Sequence, residues 1–179
     1  MNPQEKNTYV KQQITSALVS LMKKKKLTDI SISEICDKAQ VGRASFYRNY
    51  DSKEEVVEKY TELLILKWAE EIDMDPSANI YTFFASMFEH FQKNSGFYKT
   101  LYKQNMSPMI LNAIRKKLNV NGDTDPAALY SRAFTAYGIF GWIDIWFSNG
   151  MKETPEELNR IIVSNMNTMI RGAKALEEL

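Results

Sequence analysis

The chain is punctuated by helix starts and holds almost nothing that reads as a strand. Four prolines each follow a residue able to cap a helix: Asp75-Pro76, Ser107-Pro108, Asp125-Pro126 and Thr154-Pro155. Proline is tolerated at the first helical position because the N–H it lacks has no partner there. Ser31 with Glu34, Ser52 with Glu55, and Thr154 with Glu157 have capping-box spacing, in which two orphan N–H groups are satisfied reciprocally. Apolar residues recur at intervals of three and four, as in Val10, Ile14, Ala17, Leu18, Leu21 and Met22, the spacing of one buried helical face. The pattern predicts an all-α fold of about nine helices. The first frays into the KKKKLTD run, the second starts at Ile32, the third covers 43–49 and the fourth opens at Ser52. Later helices are expected near 76–93, 97–105, 108–118, 126–148 and 155–174.

Charge divides the chain unevenly. Residues 1–53 carry ten basic and five acidic side chains, whereas the remainder carries 13 basic and 17 acidic. A basic head on a mildly acidic body suggests that one end meets a polyanion. The expected organisation is a head over 1–53, a linking helix over 53–72, and a larger helical region over 73–179. Cys36 is the single cysteine, so no intrachain disulfide is possible; on the apolar side of the second helix it reads as a small core residue. No signal peptide is recognisable, and the apolar stretch at 136–148 is interrupted by Asp144 and too short to span a bilayer. A soluble, cytoplasmic protein with no membrane contact is expected.

Two short helices joined by a tight turn, with the first and fourth helices packed around them, form a helix-turn-helix unit whose second short helix can enter a DNA major groove. On that reading Val41, Phe46 and Tyr50 point inward against Ile14 and Ile35. Arg43, Ala44, Ser45, Tyr47 and Arg48 are left facing outward. The small residues 44 and 45 permit close approach to base edges, and the two arginines can donate to guanine or phosphate. Tyr47 can donate its hydroxyl to a phosphate, unless it is a partly buried aromatic. Lys53, in the first turn of the next helix, would join backbone N–H groups aimed at another phosphate. Lys23–Lys26 suit either a flanking phosphate or a solvated helix end.

The residues from Ile14 through Thr28-DISISEICDKAQVGRASFYRNYDSKEEV resemble the N-terminal DNA-binding domain of the TetR/AcrR family of bacterial transcription regulators. Members usually have serine where Gly42 stands and glycine where Ala44 stands. The resemblance implies a homodimer of all-helical subunits acting on a palindromic site in double-stranded DNA. It places base and backbone contacts at Arg43, Ala44, Ser45, Tyr47 and Arg48, with phosphate contacts at Thr28 or Ser31 and at Lys53. It also implies repression relieved by a small molecule in the C-terminal domain. The segment Tyr137-GIFGWIDIWFSNGMKETPEELNRII resembles a branch of small TetR-like regulators that includes the coactivator of a dihydroxyacetone kinase operon. That likeness implies the alternative, action through a protein partner.

In the body, Phe84, Phe88, Phe91, Tyr98, Tyr102, Met106, Tyr137 and Trp142 suit the lining of a cavity for a small hydrophobic or aromatic effector. They suit a solid core equally, since aromatics and methionines at helical spacing usually form one. Gly138 and Gly141, three apart in an aromatic-rich helix, suggest a closely packed backbone or bulky neighbouring rings. The last two helices are expected to pair with their copies, with Ile139, Ile143, Trp146, Ile162, Met166 and Met169 in the seam; a monomer with these residues in its own core is the alternative. His90, the one histidine, has no second histidine or cysteine beside it, so no metal site is expected. No phosphate-binding glycine loop or nucleophile elbow is present, and neither an enzyme nor a cofactor is expected.

Overall fold

The computed structural model describes residues 2–122 and 125–177, the side chains of residues 3, 167 and 169–177 excepted. Among the described residues there are nine α-helices, one 3₁₀ turn at Leu27–Asp29 and no strand. The helices are α1 (Pro3–Met22), α2 (Ile32–Ala39), α3 (Arg43–Tyr47), α4 (Lys53–Asp73), α5 (Ile80–Lys93), α6 (Ser95–Lys103), α7 (Pro108–Lys117), α8 (Pro126–Ser148) and α9 (Pro155–Glu177).

Local chemistry explains most of these boundaries. Asn2 and Ser31 each close a capping box, with Glu5 and Glu34. Thr154 and Glu157 do the same ahead of α9, the Glu157 N–H donating to the threonine hydroxyl while the Thr154 N–H donates to the carboxylate. At α4 only half the expected box forms. Ser52 accepts from the Glu55 N–H, but the Glu55 carboxylate accepts from the Asp51 N–H instead of from Ser52.

The expected start at Pro76 is wrong. The Asp75 carboxylate accepts from both the N–H and the hydroxyl of Ser77, closing a tight turn, and Asn79 then caps a helix beginning at Ile80. An aspartate before proline serves a turn as well as it serves a cap. Ser107 makes no capping bond either, although Pro108 does begin α7.

α1 packs on α2 and α4, and α3 leans on α2. Ile14, Leu18, Ile30, Ile35 and Phe46 are fully buried there, and Cys36 joins them as a small apolar residue. Burial raises the Cys36 thiol pKa, which keeps it protonated and unreactive. Further along, α4 packs against α7 and α5, α5 against α9 and α6, and α7 against α8. The buried residues Val56, Val57, Thr61, Ile65, Trp68 and Ala69 occupy one face of α4 along its whole length. Thr61 sits there without cost to the polar ledger because its hydroxyl donates to the Val57 carbonyl at 2.8 Å.

Candidate nucleic-acid interface

α3 is short because it is held, not because it is intrinsically stable. Its N-cap is Gly42, which has no side chain to offer, and its end is tied back by Asn49, whose amide donates to the Ser45 carbonyl at 2.7 Å. The turn before it begins at Gln40, which ends α2 in the left-handed region at φ 54°. Phe46 is fully buried and packs edge-on against Tyr47 and at a tilt against Tyr50, which is also buried. Val41 is half-buried against the same core.

That anchoring turns the other side of the helix outward. Arg43, Ala44, Tyr47 and Arg48 are exposed and Ser45 is half-buried. Neither arginine forms an ion pair among the described residues, so both guanidinium groups are available to an external partner. Thr28 and Ser31 are also exposed, and Lys53 is half-buried beside them.

These last three residues are more engaged than the sequence suggests. The Lys53 ammonium donates to the carbonyls of Thr28 (3.1 Å) and Ile30 (2.7 Å), pinning the start of α4 to the 3₁₀ turn. Ser31 accepts from the Glu34 N–H at 3.1 Å, and the Thr28 hydroxyl donates to the Asp29 carboxylate at 3.0 Å. Lys25 forms an ion pair with Glu34, and that contact, with the Ser31 bonds, keeps the Glu34 carboxyl below its usual range.

On the far side, the turn is held by Gln104 at the end of α6. Its carboxamide oxygen accepts from the Leu27 N–H at 2.7 Å, while its nitrogen donates to the carbonyls of Met22 (2.9 Å) and Lys25 (3.2 Å). Sequence reasoning missed this residue. A glutamine at a helix end looks like any solvated polar residue, and its partners lie 77–82 positions away.

The aromatic set expected to line an effector cavity is largely a filled core. Phe84, Phe88, Phe91 and Tyr98 are buried, with edge contacts such as Phe84–Trp142 at 5.0 Å and Phe88–Trp146 at 5.4 Å. Tyr102 stacks flat on Phe147 at 5.0 Å, and Met106 packs against the same core. Burial, and secondarily the neighbouring Asp144 carboxylate, raise the Tyr102 phenol above its ordinary pKa. Tyr137 lies instead on the outer surface of α8, with the Arg115 guanidinium 5.9 Å from its ring centre. Of the eight, Phe91 borders an apolar recess of about 120 Å³ between α4, α5, α7 and α8, shared with Trp68, Met87, Ile114 and Ile139. A larger cleft, about 780 Å³, lies outside this core, between α1 and α4.

The residues expected in a subunit seam lie mostly within the protomer's own core, the alternative reading of the sequence. Ile139, Ile143, Trp146 and Ile162 are buried inside the protomer, and Met166 packs partly against that core. The side chain of Met169 lies outside the described residues. The outer face of α8 instead presents Tyr130, Phe134, Tyr137 and Ile145, which are 75%, 77%, 53% and 62% exposed. A Cβ added at Gly138 or Gly141 would meet nothing within 4 Å, so neither glycine is required by close packing inside the protomer.

His90 points into the aromatic core, with Nε2 2.9 Å from the Tyr98 hydroxyl. Burial, and secondarily the Lys93 ammonium, push its pKa down to about 4, so the ring is neutral at pH 7. Among the described residues no group of three or more His, Cys, Asp or Glu side chains is placed to hold a metal ion. No helix among them is long and apolar enough to cross a membrane.

Residues 14–60 match the family model described as bacterial regulatory proteins, tetR family. Residues 78–168, half of the chain, match one described as a transcriptional regulator C-terminal region. The fold is similar to that of Lin0861 from Listeria innocua, with a TM-score of 0.75 at 15% identity over 94% of this chain and 95% of that one. It is also similar to a TetR transcriptional regulator from Streptococcus agalactiae, with a TM-score of 0.59 at 18% identity over 90% and 95% of the two chains. Comparison with curated proteins gives no match.

Proposed function

The chain belongs to the TetR family of bacterial transcriptional regulators, and from that premise we propose that it is a cytoplasmic, dimeric, sequence-specific DNA-binding repressor. The carrying observation is the outward face of α3. Arg43, Ala44, Tyr47 and Arg48 are exposed together while Phe46 and Tyr50 hold the helix from behind. In this reading residues 1–53 form the DNA-binding head, α4 links it to the rest, and residues 73–179 form the regulatory and dimerisation region. Arg43 and Arg48 read base edges or phosphate, Ala44 and Ser45 allow the helix to sit deep, and Tyr47 donates to the backbone. Thr28, Ser31 and Lys53 form the flanking phosphate side, where Lys53 keeps one ammonium hydrogen beyond the two it gives to the turn.

The second subunit covers the outer face of α8. Four large side chains at 130, 134, 137 and 145 repeat along one side of that helix, an apolar surface that a soluble monomer rarely leaves open. Open space above Gly138 and Gly141 lets the partner's backbone or its rings come close.

For the control of DNA affinity the filled core matters. A drug-sized ligand takes roughly 300–1,000 Å³, several times the 120 Å³ recess. A small-molecule effector that enters this recess would be only a few atoms across or would part α4 from α5, whereas the cleft of about 780 Å³ between α1 and α4 is wide enough for a larger one. The filled core favours a second reading, control by a protein partner on the surface.

The test is binding to the gene's own upstream region. Purified protein is expected to shift a palindromic fragment, with affinity falling steeply as salt rises. A shift that needs a second protein would support partner control. No binding under either condition would overturn the regulator reading.

A further inference from the structure

We propose that Gln104 is a positioning residue for DNA binding: from the end of α6 it fixes the 3₁₀ turn that carries Thr28, and so couples the body of the molecule to its DNA-facing surface. The three groups it binds are those that helix geometry leaves without partners. Met22 and Lys25 supply carbonyls at and just past the end of α1, and Leu27 supplies the first N–H of the turn. Only a carboxamide offers a donor pair and an acceptor on one rigid plane, so one side chain meets all three.

The base of this side chain is itself fixed. Asn105 takes the left-handed conformation at φ 57°, and the Met106 N–H closes back on the Leu101 carbonyl at 2.8 Å, Leu101 being fully buried. The turn is thus gripped from two sides, by Gln104 from α6 and by Lys53 from α4. A displacement of the α6 end moves the turn, and with it the hydroxyls expected to meet phosphate. Only this last step rests on the DNA-binding reading.

The experiment compares wild-type protein, Gln104→Ala, and Ile110→Val, a body variant that lowers stability without touching the turn. Amide exchange by NMR and operator binding across a salt series are both measured. In Gln104→Ala the Leu27 amide is expected to exchange at least about tenfold faster while the Phe88 amide is unchanged. Operator affinity should fall about fivefold, with a shallower salt slope because phosphate contacts are lost. Ile110→Val should leave the Leu27 rate and the salt slope at wild-type values. Unchanged Leu27 exchange in Gln104→Ala would overturn the proposal, and so would an affinity loss that Ile110→Val reproduces with the same slope. Wild-type protein that bound no DNA would sink the regulator reading alone, and the exchange comparison would still decide whether Gln104 holds the turn.

Discussion

Arg43 and Arg48 stand on the exposed side of α3 with no ion-pair partner among the described residues, and in the proposed DNA-binding reading they are the side chains most able to discriminate one sequence from another. Replacing either with alanine is expected to weaken operator binding by about 1–3 kcal/mol and to relax preference at one base position. Tyr47→Phe removes a single hydroxyl and should weaken operator and random DNA alike; fluorescence anisotropy on both duplexes separates the two patterns. The orientation behind this prediction was readable from spacing, because Phe46 and Tyr50 are four apart and fall on one side of a helix. The engagement of Lys53 was not readable, since its two acceptors lie 23 and 25 residues back and are backbone carbonyls, which no side-chain pattern announces. His90 gives a prediction of another kind. Its folded pKa of about 4 lies below the ordinary 6.5, so the unfolded chain binds the proton more readily. The stability from keeping the ring neutral is complete above pH 6.5 and is lost as pH falls from there toward 4, by up to about 3 kcal/mol. Thermal melts between pH 7.5 and 4.5 should show this slope, and His90→Gln should flatten it.

Among the elements, α3 and α8 invite change for opposite reasons. α3 begins at a glycine with extended geometry (φ −72°, ψ 149°) and empty space around an added Cβ. Gly42→Ser should therefore supply the missing side-chain cap, to the Ala44 N–H because the Ser45 N–H already donates to the Gly42 carbonyl at 2.8 Å, and add a few tenths of a kcal/mol in urea denaturation. α8 is apolar on nearly every side. Phe134→Glu on its outer face is expected to convert the dimer to a folded monomer by light scattering, with an unchanged helical circular dichroism signal. Ile143→Ala, a cut into the buried face, should instead cost about 2–5 kcal/mol of stability. If Phe134→Glu stayed dimeric, the outer face would not be the seam. This contrast marks what the sequence leaves open here. With apolar residues all round a helix, periodicity cannot tell which side serves the protomer's core and which side serves a second subunit. Helix ends were more legible, because caps act through neighbours three residues away. The exception at Pro76 arose where the same short-range chemistry closes a turn.

At the scale of the whole molecule, the all-helical architecture followed from caps and periodicity, whereas the fate of the aromatic set did not. Phe84, Phe88, Phe91 and Tyr98 carry the same pattern whether they surround a ligand or one another, and only their packed arrangement reveals the second outcome. A small apolar probe such as indole should accordingly leave the melting temperature unchanged at concentrations that saturate an open pocket. A rise of several degrees would reveal that the core opens. One helix touches both the head and the body of the protein. α4 is a single unbroken helix of 21 residues, about 30 Å long, with one end bound to the 3₁₀ turn by Lys53 and the other gripped by α5 and α7. A rigid rod of that length would act as a lever arm. A tilt of about 5° at the far end swings the near end by about 2–3 Å, more than a hydrogen bond to a phosphate tolerates. In the proposed dimer, very slight rearrangement in the distant half of the molecule would thus be enough to lift one reading head out of register with its twin.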